Sequence, residues 1–194
     1  MDGIDFPPMD RRLQRRYVHL VRAHMSASTR CAAGPALLPG KNHAAAATQA
    51  AWRFFNNERV ELSALAEPLR QAGREACGQS PSDLVLLTHD WGKIDYKHHS
   101  AKPDLRLLTH EHDMSTALLV DAHDGSPLAP MQIHVKTARR VHSTAIKRPT
   151  KDSHHLDQLQ PTMDEVVDWD LHREVIHVID REGDSLEQFT KSCG

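Results

Sequence analysis

At 194 residues the chain has room for one sizeable domain, or for a small domain beside a larger one. Lys and Arg (24) nearly balance Asp and Glu (26), which excludes a uniformly basic or acidic protein. A 26% charged fraction argues against wholesale disorder, while 39% hydrophobic and 5% aromatic residues predict a modest, aliphatic core. No uncharged apolar run approaches bilayer-crossing length. The start, Met1-Asp2-Gly3-Ile4-Asp5, is acidic where a signal peptide is basic. A soluble cytoplasmic protein with no membrane partner is therefore expected. Cys31, Cys77 and Cys193 are odd in number and widely spaced, so they imply neither a CxxC metal pair nor a disulfide framework. The 15 histidines read mostly as scattered surface imidazoles.

Along the chain, Asp10 to about His24 reads as a helix, with Asp10 as a possible cap and Leu13, Tyr17, Leu20 and Val21 on one face. Arg11, Arg12, Arg15, Arg16 and Arg22 fill the rest of that helix. Gly34, Pro35, Pro39 and Gly40 mark a linker over 32–42. Helices are predicted over 46–55, ended by Asn56-Asn57, and over 62–76, closed by Gly78 and Pro81. Trp52, Phe54 and Phe55 read as packing residues, given their helical spacing beside alanines.

After Pro81 the pattern changes. Leu84-Val85-Leu86-Leu87 is a short apolar run that suits a buried strand ending in Thr88-His89-Asp90. Strands over 116–120 and 131–135 flank Asp124-Gly125-Ser126-Pro127, which predicts an antiparallel hairpin. Residues 162–173 read as a helix, and Val175-Ile176-His177-Val178-Ile179 as a buried strand ending in Asp180. A short helix is expected to start after Arg181-Glu182-Gly183-Asp184.

Two apolar strands thus end in an aspartate. Ligands collect at the carboxyl ends of parallel strands, and neighbouring strands lie about 4.8 Å apart. If these two strands are adjacent and parallel, Asp90 and Asp180 can share a divalent cation. A hard ion such as Mg²⁺ suits those oxygens and supports phosphodiester chemistry. Most strand-end aspartates merely start turns or cap helices, so this geometry is the deciding question.

At the same residues the chain resembles a family. Asp180-Arg181-Glu182-Gly183-Asp184 after an apolar strand is similar to the D-R-E-x-D box of bacterial cut-and-paste DDE transposases, relatives of insertion sequence four and transposon five. Thr88-His89-Asp90-Trp91-Gly92-Lys93-Ile94-Asp95-Tyr96 resembles that family's first-aspartate segment. Residues 50–60 (Ala-Ala-Trp-Arg-Phe-Phe-Asn-Asn-Glu-Arg-Val) resemble its N-terminal AAYRFFDNxxV helix. Three motifs in order span most of the chain.

The resemblance implies an α/β fold: a small helical DNA-binding region over 1–80, then an incomplete ribonuclease H-like mixed sheet over 81–194. It implies that Asp90 and Asp180 are the first two carboxylates of a D-D-E triad holding Mg²⁺ or Mn²⁺. It further implies transposon-end DNA as partner, contacted by Arg11, Arg12, Arg15, Arg16 and Arg22, and a homodimer at full length. The family's third carboxylate lies in a YxxRxxxExxK-like helix. No tyrosine follows Tyr96, so that helix is not within the chain, and little or no strand transfer is expected from it as given. Trp91 and Gly92 stand where the family usually has small hydroxyl residues.

Two other readings compete. His89-Asp90-Trp91-Gly92-Lys93 matches the HDxGK motif of HD-type metal-dependent phosphohydrolases, which carry it on a helix. A non-catalytic DNA-binding remnant is the other. His110-Glu111-His112-Asp113 fails the spacing of an HxHxDH metal box, and no Cys accompanies His98-His99 or His154-His155 at zinc-ligand spacing.

Overall fold

A computed structural model of the chain describes residues 9–26, 44–95, 111–137, 141–145 and 158–180. The expected linker over 32–42, the His98-His99 and His154-His155 pairs, Cys31, Cys193 and everything after Asp180 lie outside those residues. The chain divides into two compact units, residues 1–64 and 65–194.

In the first unit, α1 (Arg11–Ser26) begins where Asp10 caps it. The Asp10 carboxylate accepts the Arg12 backbone N–H at 2.8 Å, and its carbonyl accepts the Gln14 N–H at 2.9 Å. That bond from Arg12 is the main reason the Asp10 carboxyl titrates below its ordinary value. Leu20 and Ala23 are buried on the expected face. The second helix, α2 (Ala44–Phe55), buries Ala51 and Phe54. It ends as the asparagines predict: the Asn56 backbone and side-chain amides both donate to the Trp52 carbonyl, at 3.0 and 2.9 Å. The packing expectation holds for Phe54 and fails for its neighbours. Trp52 and Phe55 are 64% and 58% exposed; they project about 130° and about 70° around the helix from the mean direction of buried Ala51 and Phe54.

The third helix, α3 (Leu62–Gln79), carries Pro68 in its interior. Proline has no N–H for the carbonyl four residues back. Here that is Ala64, where the two units divide.

The second unit is a five-stranded mixed sheet: β1 (Leu84–Asp95), β2 (Glu111–Asp121), β3 (Pro127–Lys136), β4 (Val141–Ser143) and β5 (Glu174–Ile179), in the order β4-β3-β2-β1-β5. Strands β1 to β4 form an antiparallel meander, and β5 pairs parallel to β1. The expected hairpin joins β2 and β3. Asp121 and Ser126 close it with an N–H to carbonyl bond of 2.9 Å, and Gly125 supplies the positive φ of 77°. The chain reaches β5 through α4 (Leu159–Val166) and a 3₁₀ turn, Val167–Trp169.

Two expectations require correction. The first strand does not end at Asp90; it runs on to Asp95, because β2 supplies ladder partners as far as Glu111. The helix expected over 162–173 stops by Trp169, where Asp170 and His172 take left-handed backbone conformations (φ 53° and 52°) that no helix accommodates.

Strand alternation gives the sheet two unlike faces. One carries Val85 and Leu87 of β1, Ala117 and Leu119 of β2, and Ala129 and Met131 of β3, packed with Cys77, Val166, Trp169 and Leu171. Helix α3 lies close on it at Gly73, where a Cβ would fall 2.7 Å from Met131 Sδ and 3.3 Å from Ala129 Cβ. Arg70, 2% exposed, anchors α3 by donating to Glu67 at 3.0 Å and to the Thr144 carbonyl just past β4 at 3.0 Å. Glu67 also accepts from Arg74 at 2.6 Å. Arg70→Ala removes the donor to the half-buried Thr144 carbonyl and empties the space the buried Arg70 side chain fills. It is expected to lower the unfolding free energy by about 2–4 kcal/mol, read from the urea midpoint at constant m-value.

Candidate functional site

The site is set by the register of β1 on β5. Paired residues run from Leu84 with Glu174 to His89 with Ile179. One step further lie Asp90 on β1 and Asp180 just past the end of β5. Adjacent parallel strands in register point equivalent side chains to the same face, so Asp90 and Asp180 project from one face at neighbouring positions. Both are exposed. Thr116 of β2 stands opposite Asp90 on its other flank. Below them the same face carries Leu86 with Ile176 and Thr88 with Val178. Ile176 and Val178 are 43% and 42% exposed, since α3 and α4 both lie on the opposite face.

The donor set suits a hard cation. Two exposed carboxylates at neighbouring strand positions are of the kind Mg²⁺ or Mn²⁺ takes alongside waters and phosphate oxygens. Among the described residues, no three His, Cys, Asp or Glu side chains converge at metal-binding distance.

The His89-Asp90 doublet lies on a strand rather than a helix, and its two side chains point to opposite faces. His89 is buried at 7% exposure while Asp90 is exposed. The HDxGK arrangement on a helix is therefore not formed.

The buried side of β1 carries a polar layer that sequence reasoning missed. His89 Nε2 meets His177 Nδ1 at 2.9 Å, with the rings stacked at a centroid distance of 5.2 Å. Nearby, Ser115 donates to Gln158 Oε1 at 2.7 Å and Gln132 donates to Glu165 Oε2 at 3.2 Å. His134 Nε2 lies 3.4 Å from Thr162 Oγ1, while its Nδ1 has no partner among the described residues. The one available signal was that His89 and His177 each alternate with apolar residues on the inward side of their strands.

Burial holds these imidazoles neutral. Desolvation, with a smaller contribution from His177, brings His89 down to about 4. Desolvation alone brings His134 down to about 4 and lowers His177 as well. The arginines of α1 lie in the other unit: Arg11, Arg12, Arg15 and Arg22 are exposed and Arg16 half-buried.

Compared with known protein families and with curated proteins, the chain matches none.

The buried histidines make stability depend on pH. Above pH 6.5 folded and unfolded imidazoles are both neutral. As pH falls from 6.5 towards 4, the unfolded chain binds protons that the folded chain refuses, so stability is lost through that window and the loss levels off below it. Each of His89 and His134 contributes on the order of 3 kcal/mol to that loss. Urea unfolding at pH 7 and pH 4.5 is expected to show the decline, and His134→Leu to flatten it. An unchanged pH slope in the variant would assign the decline to other groups.

Proposed function

We infer that the chain belongs to the chemistry of DDE transposases: DNA binding by the helical first unit, and metal-dependent phosphodiester hydrolysis and strand transfer built on Asp90 and Asp180. The observation that carries this reading is the parallel pairing of β1 and β5 in a register that sets the two aspartates side by side on one face. The sheet supports a ribonuclease H-like core, since an antiparallel meander bears one parallel strand against the strand of the first aspartate.

On this reading Asp90 and Asp180 hold Mg²⁺ or Mn²⁺. Bound there, the ion supplies activation of a water or 3′-hydroxyl and charge neutralisation at the DNA phosphate. The chain's own residues do the rest. The two carboxylates fix the ion against β1 and β5, whose ladder keeps their spacing constant. The neutral His89–His177 contact ties the same two strands from below without adding positive charge beneath the site. Arg11, Arg12, Arg15, Arg16 and Arg22 neutralise phosphates of transposon-end DNA and release condensed counterions. A full-length homodimer would bring two such ends together. On this reading Asp90 and Asp180 are the binding and positioning carboxylates of that chemistry.

The test is Mn²⁺ titration followed by electron paramagnetic resonance. Asp90→Asn and Asp180→Asn should each weaken binding about tenfold or more, roughly 1.4 kcal/mol. The double variant should fall well short of the sum, as expected of two ligands on one ion. Wild-type affinity in either single variant would separate the two carboxylates and end the proposal.

A further inference from the structure

The first unit holds a concave, basic surface that the metal site does not use. Helices α1 and α2 contain no carboxylate at all. Between them lies a groove of about 390 Å³ lined by Arg12 and Arg16 of α1, Arg53 of α2 and Arg59 of the turn that follows. Arg12 and Arg16 are four residues apart and so stack in one row along α1. On α2 the lining positions Ala50, Arg53 and Phe54 share one helical face.

Arg59 is fixed by its surroundings. Its guanidinium pairs with Asp10 at 3.5 Å, its backbone N–H donates to Asn57 Oδ1 at 3.0 Å, and the Val60 N–H closes the turn on the Asn57 carbonyl at 2.9 Å. Asp10 is the one acidic residue in the lining, and Arg59 and the Arg12 N–H already engage it. Among the described residues, no carboxylate lies within ion-pairing distance of Arg12, Arg16 or Arg53. Four guanidinium groups against one carboxylate leave a surplus of three positive charges.

That surplus discriminates between phosphates. An internal phosphodiester carries one negative charge and two free oxygens. A terminal phosphate monoester carries about two charges at pH 7 and three free oxygens, all strong acceptors. Planar guanidinium forks pair with such oxygens two at a time. A concave cluster of guanidiniums therefore suits a strand end better than the side of a continuous backbone. The next row on α1 carries Arg11 and Arg15, both exposed and outside the groove. It offers a second basic track for the phosphates that follow a bound end.

We propose that the groove of Arg12, Arg16, Arg53 and Arg59 binds the 5′-terminal phosphate of a DNA strand, with Arg11 and Arg15 on the phosphates next to it. This deepens the DNA-binding half of the function proposed above, on which it rests, and makes no use of Asp90 or Asp180. Its test is therefore run in chelator, where failure of the metal pair has no effect on the result.

The probe is a short blunt DNA duplex, fluorescently labelled at one end and carrying either a 5′-phosphate or a 5′-hydroxyl at the other. Its anisotropy is followed as the full chain is added. The phosphorylated duplex should bind about tenfold more tightly, as charge-assisted bonds to one added phosphate imply. Arg53→Gln together with Arg59→Gln should shrink that preference to within about twofold. Arg11→Gln together with Arg15→Gln should weaken both duplexes alike and keep the preference, because those arginines meet internal phosphates. All four side chains are exposed, so their replacement is compatible with folding, which circular dichroism checks. Adenosine monophosphate and a phosphoserine peptide carry the same monoester without the phosphates that follow it. Each should compete about tenfold less well than the phosphorylated duplex. Equal affinity for the two duplexes would overturn the proposal and leave general DNA binding standing, whereas binding of neither would end both. A preference that survives Arg53→Gln with Arg59→Gln would overturn it by placing the strand end elsewhere. Equal competition by the mononucleotide or the peptide would overturn it by assigning the groove to that ligand.

Discussion

The second unit depends on one pairing, that of β5 with β1. The meander of β1 to β4 is local, each strand folding back on the one before it. Strand β5 arrives from far along the sequence and joins the opposite edge in parallel, after α4 and a left-handed turn at Asp170. Parallel pairing needs such a crossover. It places residues about ninety positions apart side by side, and its register decides which of them meet. A slip by one residue would turn Asp180 to the helix-covered face and leave Ile179 beside Asp90.

The interactions that hold this register lie on the side away from the aspartates. Val85 and Leu87 are fully buried beneath α3 and α4, and His89 meets His177 across the two strands. A hydrogen bond between two neutral imidazoles is directional, so it marks one register where apolar contacts alone would tolerate several. The layer continues through Gln132, His134, Gln158, Thr162 and Glu165, which join α4 to the sheet by side-chain bonds in place of methyl packing. Such a layer trades some hydrophobic stabilisation for a defined docking of α4, and α4 leads the chain into β5.

The first unit is governed by a different constraint. Its helices bury little beyond Leu20, Ala23, Ala51 and Phe54, all on facing stripes. Among its described residues, Arg11, Arg12, Arg15, Arg22, Arg53, Trp52 and Phe55 are exposed. A small apolar stripe organises the pair of helices and leaves their outer faces free to differ in chemistry. The near-neutral total charge conceals this local excess, because 21 of the 26 acidic residues lie in the second unit.

Much of the architecture was legible from the sequence. Helical spacing gave α1 to α3 and the cap at Asp10; apolar runs located β1 and β5, and Asp124-Gly125 gave the β2–β3 hairpin, because each signal is local and periodic. The sequence did not reveal β4, three residues long, or the extension of β1 to Asp95, since both exist only through a partner strand. It misjudged Trp52 and Phe55, whose hydrophobicity says nothing about which side of a helix a neighbour covers. It passed over His89 and His177 because a buried imidazole has no sequence signature apart from its inward position. By itself the sequence determined most of the helical and strand segments and named Asp90 and Asp180 as candidates. Only the tertiary structure decided that Asp90 and Asp180 share a face and that two histidines meet beneath them, because register across a long crossover is fixed by packing and not by local propensity.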